Sequence, residues 1–241
     1  MSVTRRHFGQ TLAAALMLPA SSARAQSAPY PRQVAGVALP ATPVCVAAHA
    51  SLSAVAPAFL VNHCLRTYAF GALQMRRERR TFDAQTAFVA AVLHDVGLLA
   101  ATASREHSFE VDGADFAERF VREQAGTPEQ AARVWAAIAM HDLRPDFARH
   151  ESAEAQLVAA GAAADVVGPD DPLPRADVQS ILAAFPRLQF KRRFIALLSD
   201  HCERKPRSQR ATWLEGFCRM HSAHPAADTT EEAILSAPFT E

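Results

Sequence analysis

The chain has 241 residues, of which 25 are Lys or Arg and 25 are Asp or Glu, so its formal net charge is zero. No later stretch matches the length and apolarity of a membrane span once the N-terminal segment described next is set aside. Without that segment about 215 residues remain, enough for one domain with a substantial core. The remaining 22 basic against 25 acidic residues argue against nucleic acid as a partner, because that affinity depends on many phosphate-neutralising cations.

Residues 1–25 have the layout of an export signal. The paired arginines Arg5 and Arg6 precede a short apolar stretch over 12–19 and an Ala-x-Ala cleavage site over 23–25. The paired arginines favour the twin-arginine route, with an ordinary secretory signal as the alternative. We therefore predict that the mature protein acts in the periplasm or outside the cell.

The rest of the chain is predicted to be all-α. Residues 26–50 begin with a stretch rich in Pro, Ser and Ala and are predicted to form an exposed lead-in. Beyond it, apolar residues recur with helical spacing, Gly is scarce, and no alternating strand pattern of useful length is present. The predicted helices cover 51–78 with a break near Pro57, 83–99, 112–124, 127–142, 151–167, 176–184, 187–203 and 208–220. We predict one helical domain over 51–221, followed by a weakly ordered tail over 222–241.

The clearest helix boundary is at Thr127. A Pro follows it at the first helical position, and Gln130 stands where a capping box places its second member. The four cysteines, by contrast, match no zinc or redox motif. Four buried thiols are the favoured interpretation, and Cys202–Cys218 is the first disulfide to test if the exported protein is oxidised.

Ionisable residues lie on the apolar faces of four predicted helices. His94 and Asp95 end an apolar run, where burial would be costly unless they are paired or bind a metal ion. His63, His141 and Asp165 each lie on the apolar face of another helix. One such residue is more often a hydrogen-bonded core residue, but several on separate helices favour a metal site between them.

The order of these residues resembles the HD-domain superfamily of helical metal-dependent hydrolases and lyases. The resemblance covers roughly residues 55–170 and implies a metal held by His63, His94, Asp95 and Asp165. It places His141 beside the site, where other members have a ligand for a second metal or a substrate contact. A helical HD-type domain with its metal site between helices is therefore expected.

A closer resemblance is to the cyanamide hydratase branch, through the segments 62–71, 93–98 and 109–115. Several phosphohydrolase branches carry Lys or Glu shortly after the His-Asp pair, where this chain has Gly97 and two leucines. No Gly-Tyr-Pro motif follows, unlike in cyclic-dinucleotide phosphodiesterases. These differences favour hydration of a small cyanamide- or nitrile-like molecule, with a phosphate ester or nucleotide as the alternative substrate.

The resemblance implies a divalent cofactor, with zinc as the first choice and iron or manganese as alternatives. Such an ion lowers the pKa of a bound water from about 16 to about 7. We expect Asp95 or Asp165 to carry a proton through its free oxygen, and His141 to orient the substrate or supply a proton. A phosphate ester would in addition need cations, for which Arg66 and Arg144 are the nearest in sequence.

Three residues after the His-Asp pair, His107, Glu110 and Asp112, are predicted either to line the pocket entrance or to belong to a capped, solvated loop. Of these, His107 and Glu110 are candidate contacts for a small-molecule substrate, together with Arg66. We expect no nucleic-acid partner and no membrane association after signal removal, and a homo-oligomer is left open. The alternative to an enzyme is a non-catalytic helical domain that keeps the fold. The intact set of ionisable core residues favours the enzyme.

Overall fold

The computed structural model describes residues 29–104, 106–143, 149–169, 171–206, 208–209, 212–223 and 235. The predicted export signal and most of the predicted tail lie outside these residues. Within them the fold is all-α as predicted, apart from one short antiparallel hairpin. None of the described helices combines the length and the apolarity needed to cross a bilayer.

The secondary structure follows the predicted order. The described elements are β1 (Gln33–Val34), β2 (Val37–Ala38), α1 (Pro43–Val55), α2 (Ala58–Arg77), α3 (Ala84–Leu93), a 3₁₀ turn (Val96–Leu98), α4 (Phe109–Glu123), α5 (Pro128–Ala139), α6 (Ala153–Val166), α7 (Arg175–Ala184), α8 (Phe190–Arg204) and α9 (Glu215–His221). Pro57 separates α1 from α2, close to the predicted break. The capping box at the start of α5 is also confirmed, because Thr127 and Gln130 each bond the backbone N–H of the other.

The prediction of an exposed lead-in over 26–50 is wrong for the residues described there. Tyr30, Val34 and Leu39 are buried in the core, and α1 begins at Pro43, eight residues before the predicted first helix. The Tyr30 ring lies 5.1 Å from that of Phe88 on α3, which ties the hairpin to the centre of the fold. The sequence did not indicate this packing, because the segment has many turn residues and only a few, widely spaced apolar side chains.

Two glycines allow α2 and α6 to cross at close range. A Cβ at Gly161 would lie 1.9 Å from the Thr67 carbonyl oxygen, and one at Gly71 would lie 2.1 Å from that of Leu157. Any side chain at either position would force the helices apart. This crossing brings the middle of α2 against the middle of α6.

A third glycine sets the entry to α4. A Cβ at Gly97 would lie 2.1 Å from the carbonyl oxygen of Phe109, the first residue of α4. Gly97 therefore lets α4 begin directly against the turn that follows α3. The first residues of α4 are held beside the end of α3 as a result.

A disulfide joins Cys202 on α8 to Cys218 on α9. The favoured interpretation of four thiols is wrong for this pair, whereas Cys45 and Cys64 are free and buried as expected. A sequence separation of 16 residues matches no motif. The pairing depends on the docking of α9 against α8, which helical periodicity does not specify.

Candidate metal centre

Three of the predicted metal ligands converge at the end of α3. His63 lies in the first half of α2, and His94 and Asp95 follow the last residue of α3. Each is only 1% exposed. One ligand atom from each lies within 4.8 Å of the others, so these three residues form what we call the metal-site cluster.

The imidazoles of this region all turn the same nitrogen away from the cluster. In each of three histidines Nδ1 lies 2.7–2.8 Å from an oxygen, which is Asp165 Oδ2 for His63, Ala91 O for His94 and Ile138 O for His141. Because a carboxylate or a carbonyl oxygen only accepts, Nδ1 carries the proton and donates. Nε2 is then the free metal-binding or proton-accepting nitrogen in the neutral ring.

These free nitrogens face Asp95. Its Oδ2 lies 3.2 Å from His63 Nε2 and 3.4 Å from His94 Nε2, and its Oδ1 lies 3.7 Å from His141 Nε2. Two ligands bound about 2.1 Å from one ion lie about 3.0–3.4 Å apart, depending on the angle at the ion. The spacing of the metal-site cluster therefore fits a divalent ion, with His141 slightly farther out.

Asp95 is also short of a hydrogen-bond partner. No donor among the described residues bonds its buried Oδ2. An unpaired buried carboxylate oxygen is costly. A cation bound between this oxygen and the imidazole nitrogens would remove that cost, and the donor set of two imidazoles and a carboxylate suits zinc, iron or manganese.

Burial and mutual charge shift the protonation of the cluster. Burial lowers the pKa of His94 to about 3, which keeps this imidazole neutral and able to bind a metal. Burial raises the pKa of Asp95, but the neighbouring His94 and His63 outweigh it and hold that pKa below its usual range. For His63 burial acts to lower the pKa, and the carboxylates of Asp165 and Asp95 reverse the direction and raise it.

Asp165 lies behind His63, away from the metal-site cluster. Its Oδ2 accepts from His63 Nδ1 at 2.7 Å and from the Arg66 guanidinium at 2.7 Å, and its Oδ1 accepts from Arg66 Nε at 2.8 Å and from Arg187 at 2.7 Å. In this geometry Asp165 orients an imidazole and does not offer a free ligand atom. The ligand set implied by the family resemblance is thus reduced to His63, His94 and Asp95 in the structure.

Arg66 is not placed to contact a substrate. It is fully buried, and besides Asp165 it donates to the carbonyl oxygen of Phe185 at 2.9 Å. These contacts to α6 and to the segment after α7 occupy its guanidinium. His107 does not reach the site either, but for the opposite reason: its side chain faces solvent, is 56% exposed and lies 3.8 Å from Asp115. Arg144 lies outside the described residues.

A cavity of about 630 Å³ opens onto the metal-site cluster. Its lining consists of His63, His94, Asp95, Phe109, His141, Asp142, Leu143, Ala162, Ala163, Val166, Val167, Phe194 and Trp213. Among the described residues this wall is largely apolar and carries no Lys or Arg. Glu110, which was predicted near the pocket entrance, is buried and does not line the described cavity, although it interacts with Asp142, which does.

Several residues of the site were not found from the sequence. Asp142 follows His141 directly, so its position beside a core-facing histidine was the available signal. Trp213 lines the cavity and is 46% exposed, and no motif marks it in the sequence. Arg187 comes from a loop between α7 and α8, and no local pattern links it to Asp165.

Comparison with known families supports the resemblance. The family model described as HD domain matches residues 60–167, a span that runs from α2 to the residue after α6. This span includes the metal-site cluster, His141 and Asp165. No curated protein matches the chain.

Proposed function

We propose that this chain, whose residues 60–167 match the HD-domain family model, hydrates or hydrolyses a small cyanamide- or nitrile-like molecule. Metal-dependent hydrolase-type chemistry is general to HD domains, and the finer assignment to the cyanamide hydratase-like branch is our proposal. One observation carries it: histidine nitrogens and an unpaired Asp95 oxygen converge at the polar end of a largely apolar cavity.

His63, His94 and Asp95 are the residues that would hold the divalent ion, with zinc as our first choice. When bound, such an ion supplies a Lewis acid and a water made acidic enough to react near neutral pH. The protein's part is to fix the ligands. The hydrogen bonds at Nδ1 of His63 and His94 hold both rings in the tautomer and orientation that ligation needs.

His141 is placed to handle a proton. Its Nδ1 is tied to the Ile138 carbonyl, while Nε2 lies 3.7 Å from Asp95 Oδ1 at the cavity wall. It can therefore accept a proton at Nε2 and pass it to a nitrogen that becomes negative as water adds to the carbon. Asp95 supports that step by stabilising the protonated ring. Water and a nitrile group together give an amide, and water and cyanamide give urea, so no other reactant is needed.

The described cavity favours this chemistry over phosphate-ester hydrolysis. Transfer of a phosphoryl group depends on cations that contact its oxygens. Arg66 is enclosed with Asp165, and the described part of the cavity wall has Asp142 in place of a cation. Phosphate-ester hydrolysis remains the alternative that the following experiment tests.

The experiment is a substrate screen on the purified protein with its metal content measured. Cyanamide and simple nitriles are compared with phosphate esters and nucleotides by following urea, amide or phosphate release. We expect urea or amide formation that disappears in His94→Ala. Release of phosphate alone would favour the phosphohydrolase, and no turnover together with less than a tenth of an equivalent of metal would favour a non-catalytic domain.

We also propose that the protein is exported through its twin-arginine-type signal. The Cys202–Cys218 disulfide supports this proposal, because disulfides persist in oxidising compartments and are rare in the cytoplasm. Changing Arg5 and Arg6 together to Lys should retain the protein in the cytoplasmic fraction. Unchanged export of this variant would contradict the twin-arginine route.

A further inference from the structure

The cavity at the metal-site cluster changes from polar to apolar between its inner end and its mouth. The three residues of the cluster are each 1% exposed and form the inner end. Three large apolar side chains that line the same cavity are exposed to solvent, namely Leu143, Val167 and Trp213. Because these side chains both line the cavity and face solvent, they lie where it opens. A molecule that enters therefore passes apolar side chains before it reaches the cluster.

Three aromatic rings line this cavity, and we call Phe109, Phe194 and Trp213 the aromatic wall. Two of them are buried against the imidazoles of the site. The Phe194 ring lies 5.5 Å from that of His63, and the Phe109 ring lies 5.6 Å from that of His141. With Trp213 at the mouth, the aromatic wall extends from the imidazoles to solvent. Such rings favour flat apolar groups that stack against them or meet them edge to face.

Trp213 is held at the mouth although its side chain is exposed. The next residue, Leu214, is fully buried. The helix that follows, α9, is joined to α8 by the Cys202–Cys218 disulfide, and α8 carries Phe194 about two turns before its cysteine. Two rings of the aromatic wall thus belong to elements that are linked covalently. A surface that is already formed loses little conformational entropy when a ligand binds to it.

The cavity is also much larger than cyanamide. Its volume is about 630 Å³, whereas cyanamide is about the size of two to three water molecules, each of which takes about 30 Å³ in the liquid. With cyanamide bound, most of the cavity would hold water against apolar side chains, and a ligand whose apolar body displaces that water gains affinity. Asp142 lines the cavity and no described Lys or Arg does, so this body is not an anion.

We infer that the substrate is an uncharged organic nitrile whose nitrile group reaches the metal-site cluster while a ring-sized apolar body contacts the aromatic wall. Trp213 is then a specificity-determining residue, because it contacts a part of the substrate that cyanamide lacks. The inference deepens the proposed function and rests on it for the view that this cavity binds substrate. It adds that the size and apolarity of the attached group decide which molecules are accepted.

Product analogues test the inference by binding, without the need for turnover. Urea, acetamide and benzamide carry the same amide group and differ in what is attached to it, and calorimetry on the metal-loaded protein measures their affinities. We expect benzamide to bind about tenfold or more tightly than acetamide, because its ring buries more apolar surface, and urea to bind weakest. Trp213→Ala should lower the benzamide affinity about three- to tenfold and leave the acetamide affinity and the metal content unchanged.

Ile195→Ala is the matched control. It removes an exposed apolar side chain from α8, directly beside Phe194 in the sequence but outside the cavity lining. This variant should keep the full preference for benzamide over acetamide. A loss equal to that in Trp213→Ala would overturn the inference, because the preference would then not depend on contact within the cavity.

Fluorescence shows whether the ligand lies against Trp213. The chain has two tryptophans, and the other, Trp135, does not line the cavity. In Trp135→Phe, benzamide should therefore change the emission of Trp213, and acetamide at the same concentration should not.

Three further outcomes would overturn the inference. They are equal affinity of the three amides, benzamide affinity unchanged in Trp213→Ala, and Trp213 emission that changes with protein concentration instead of with ligand, since a second copy of the chain would then cover the mouth. Benzamide binding as expected, together with no turnover of any nitrile, would instead contradict the proposed function alone.

Discussion

The metal-site cluster and the Asp112–Lys205 ion pair are both buried polar groups, but only one of them is complete. Lys205 donates to Asp112 and to the carbonyl oxygen of His107, so charge and hydrogen bonds balance within the protein. In the metal-site cluster, Asp95 Oδ2 is bonded by no described donor, and imidazole nitrogens face it. The Asp112–Lys205 pair therefore has a structural role, whereas the metal-site cluster is a binding site that needs a cation from outside the chain.

The same contrast applies to the two sides of His63. On one side Asp165 is fully paired with Arg66 and Arg187, and on the other side Asp95 is not paired. Both aspartates are buried, and their types alone do not distinguish them. The groups that bond each carboxylate do distinguish them.

Asp95→Asn should have the largest effect, because it takes the only carboxylate from the metal-site cluster. We expect metal content to fall below about a tenth of an equivalent and activity to disappear, since a neutral amide is a poor ligand beside two imidazoles. Metal analysis of the dialysed protein measures this. Asp200→Asn, at a side chain that is 62% exposed, is the control and should retain its metal. Full metal content in Asp95→Asn would contradict the assignment of the cluster.

Lys205→Met should instead reduce stability and leave the metal in place. It would leave Asp112 charged and buried without its cation, which costs about 3–5 kcal/mol of unfolding free energy. Urea denaturation measures the loss. Adding Asp112→Asn should recover much of it, because the neutral side chain no longer needs a cation. A double variant as unstable as the single one would show that the ion pair is not what Lys205 contributes.

We predict that His201, which lies close to the Asp112–Lys205 ion pair, makes the stability of the folded protein depend on pH. It is fully buried, and burial lowers its pKa to about 4, with Lys205 and Arg204 adding to the decrease and Asp112 and Asp200 opposing it. Gln209 donates to its Nε2, which suits the neutral ring. The unfolded chain takes up a proton near pH 6.5 that the folded protein does not, so stability is highest above pH 6.5 and is lost as the pH falls towards 4.

The expected loss over this range is up to about 3 kcal/mol, from about 1.4 kcal/mol for each unit of pKa difference. Urea denaturation at pH 7, 5.5 and 4.5 in the presence of a chelator measures it without a contribution from bound metal. His201→Gln should be less sensitive to pH across the same range. Equal pH dependence in both proteins would mean that His201 is not the group responsible.

Helical periodicity predicted which residues of the site come together. His63, His94 and His141 each lie on an apolar stripe, and apolar stripes face a common core, so their convergence followed from spacing alone. The capping box of α5 was equally local. The order of the elements and the all-α class followed in the same way.

Periodicity did not predict what each core-facing residue bonds. Asp165 was expected among the ligands, but Arg66 and Arg187 hold it behind His63, and Arg187 comes from a loop distant in sequence. The buried hairpin and the Cys202–Cys218 disulfide were missed for the same reason. Each depends on how two separate elements pack together, and the hydrophobic pattern within one element does not specify that packing.

Arg66→Lys should have the smallest effect and is the sharpest test of the two sides of His63. A lysine keeps the charge near Asp165 but cannot replace the two parallel hydrogen bonds of the guanidinium. Asp165 would then hold the His63 ring less firmly, and we expect metal affinity to fall about 10- to 100-fold, as for other residues that orient a ligand. Competition with a chromophoric chelator measures this, and Arg187→Lys, which alters a partly exposed contact, should change affinity less. Loss of metal as complete as in Asp95→Asn would instead mean that Asp165, once displaced from Arg66, is essential as a ligand itself.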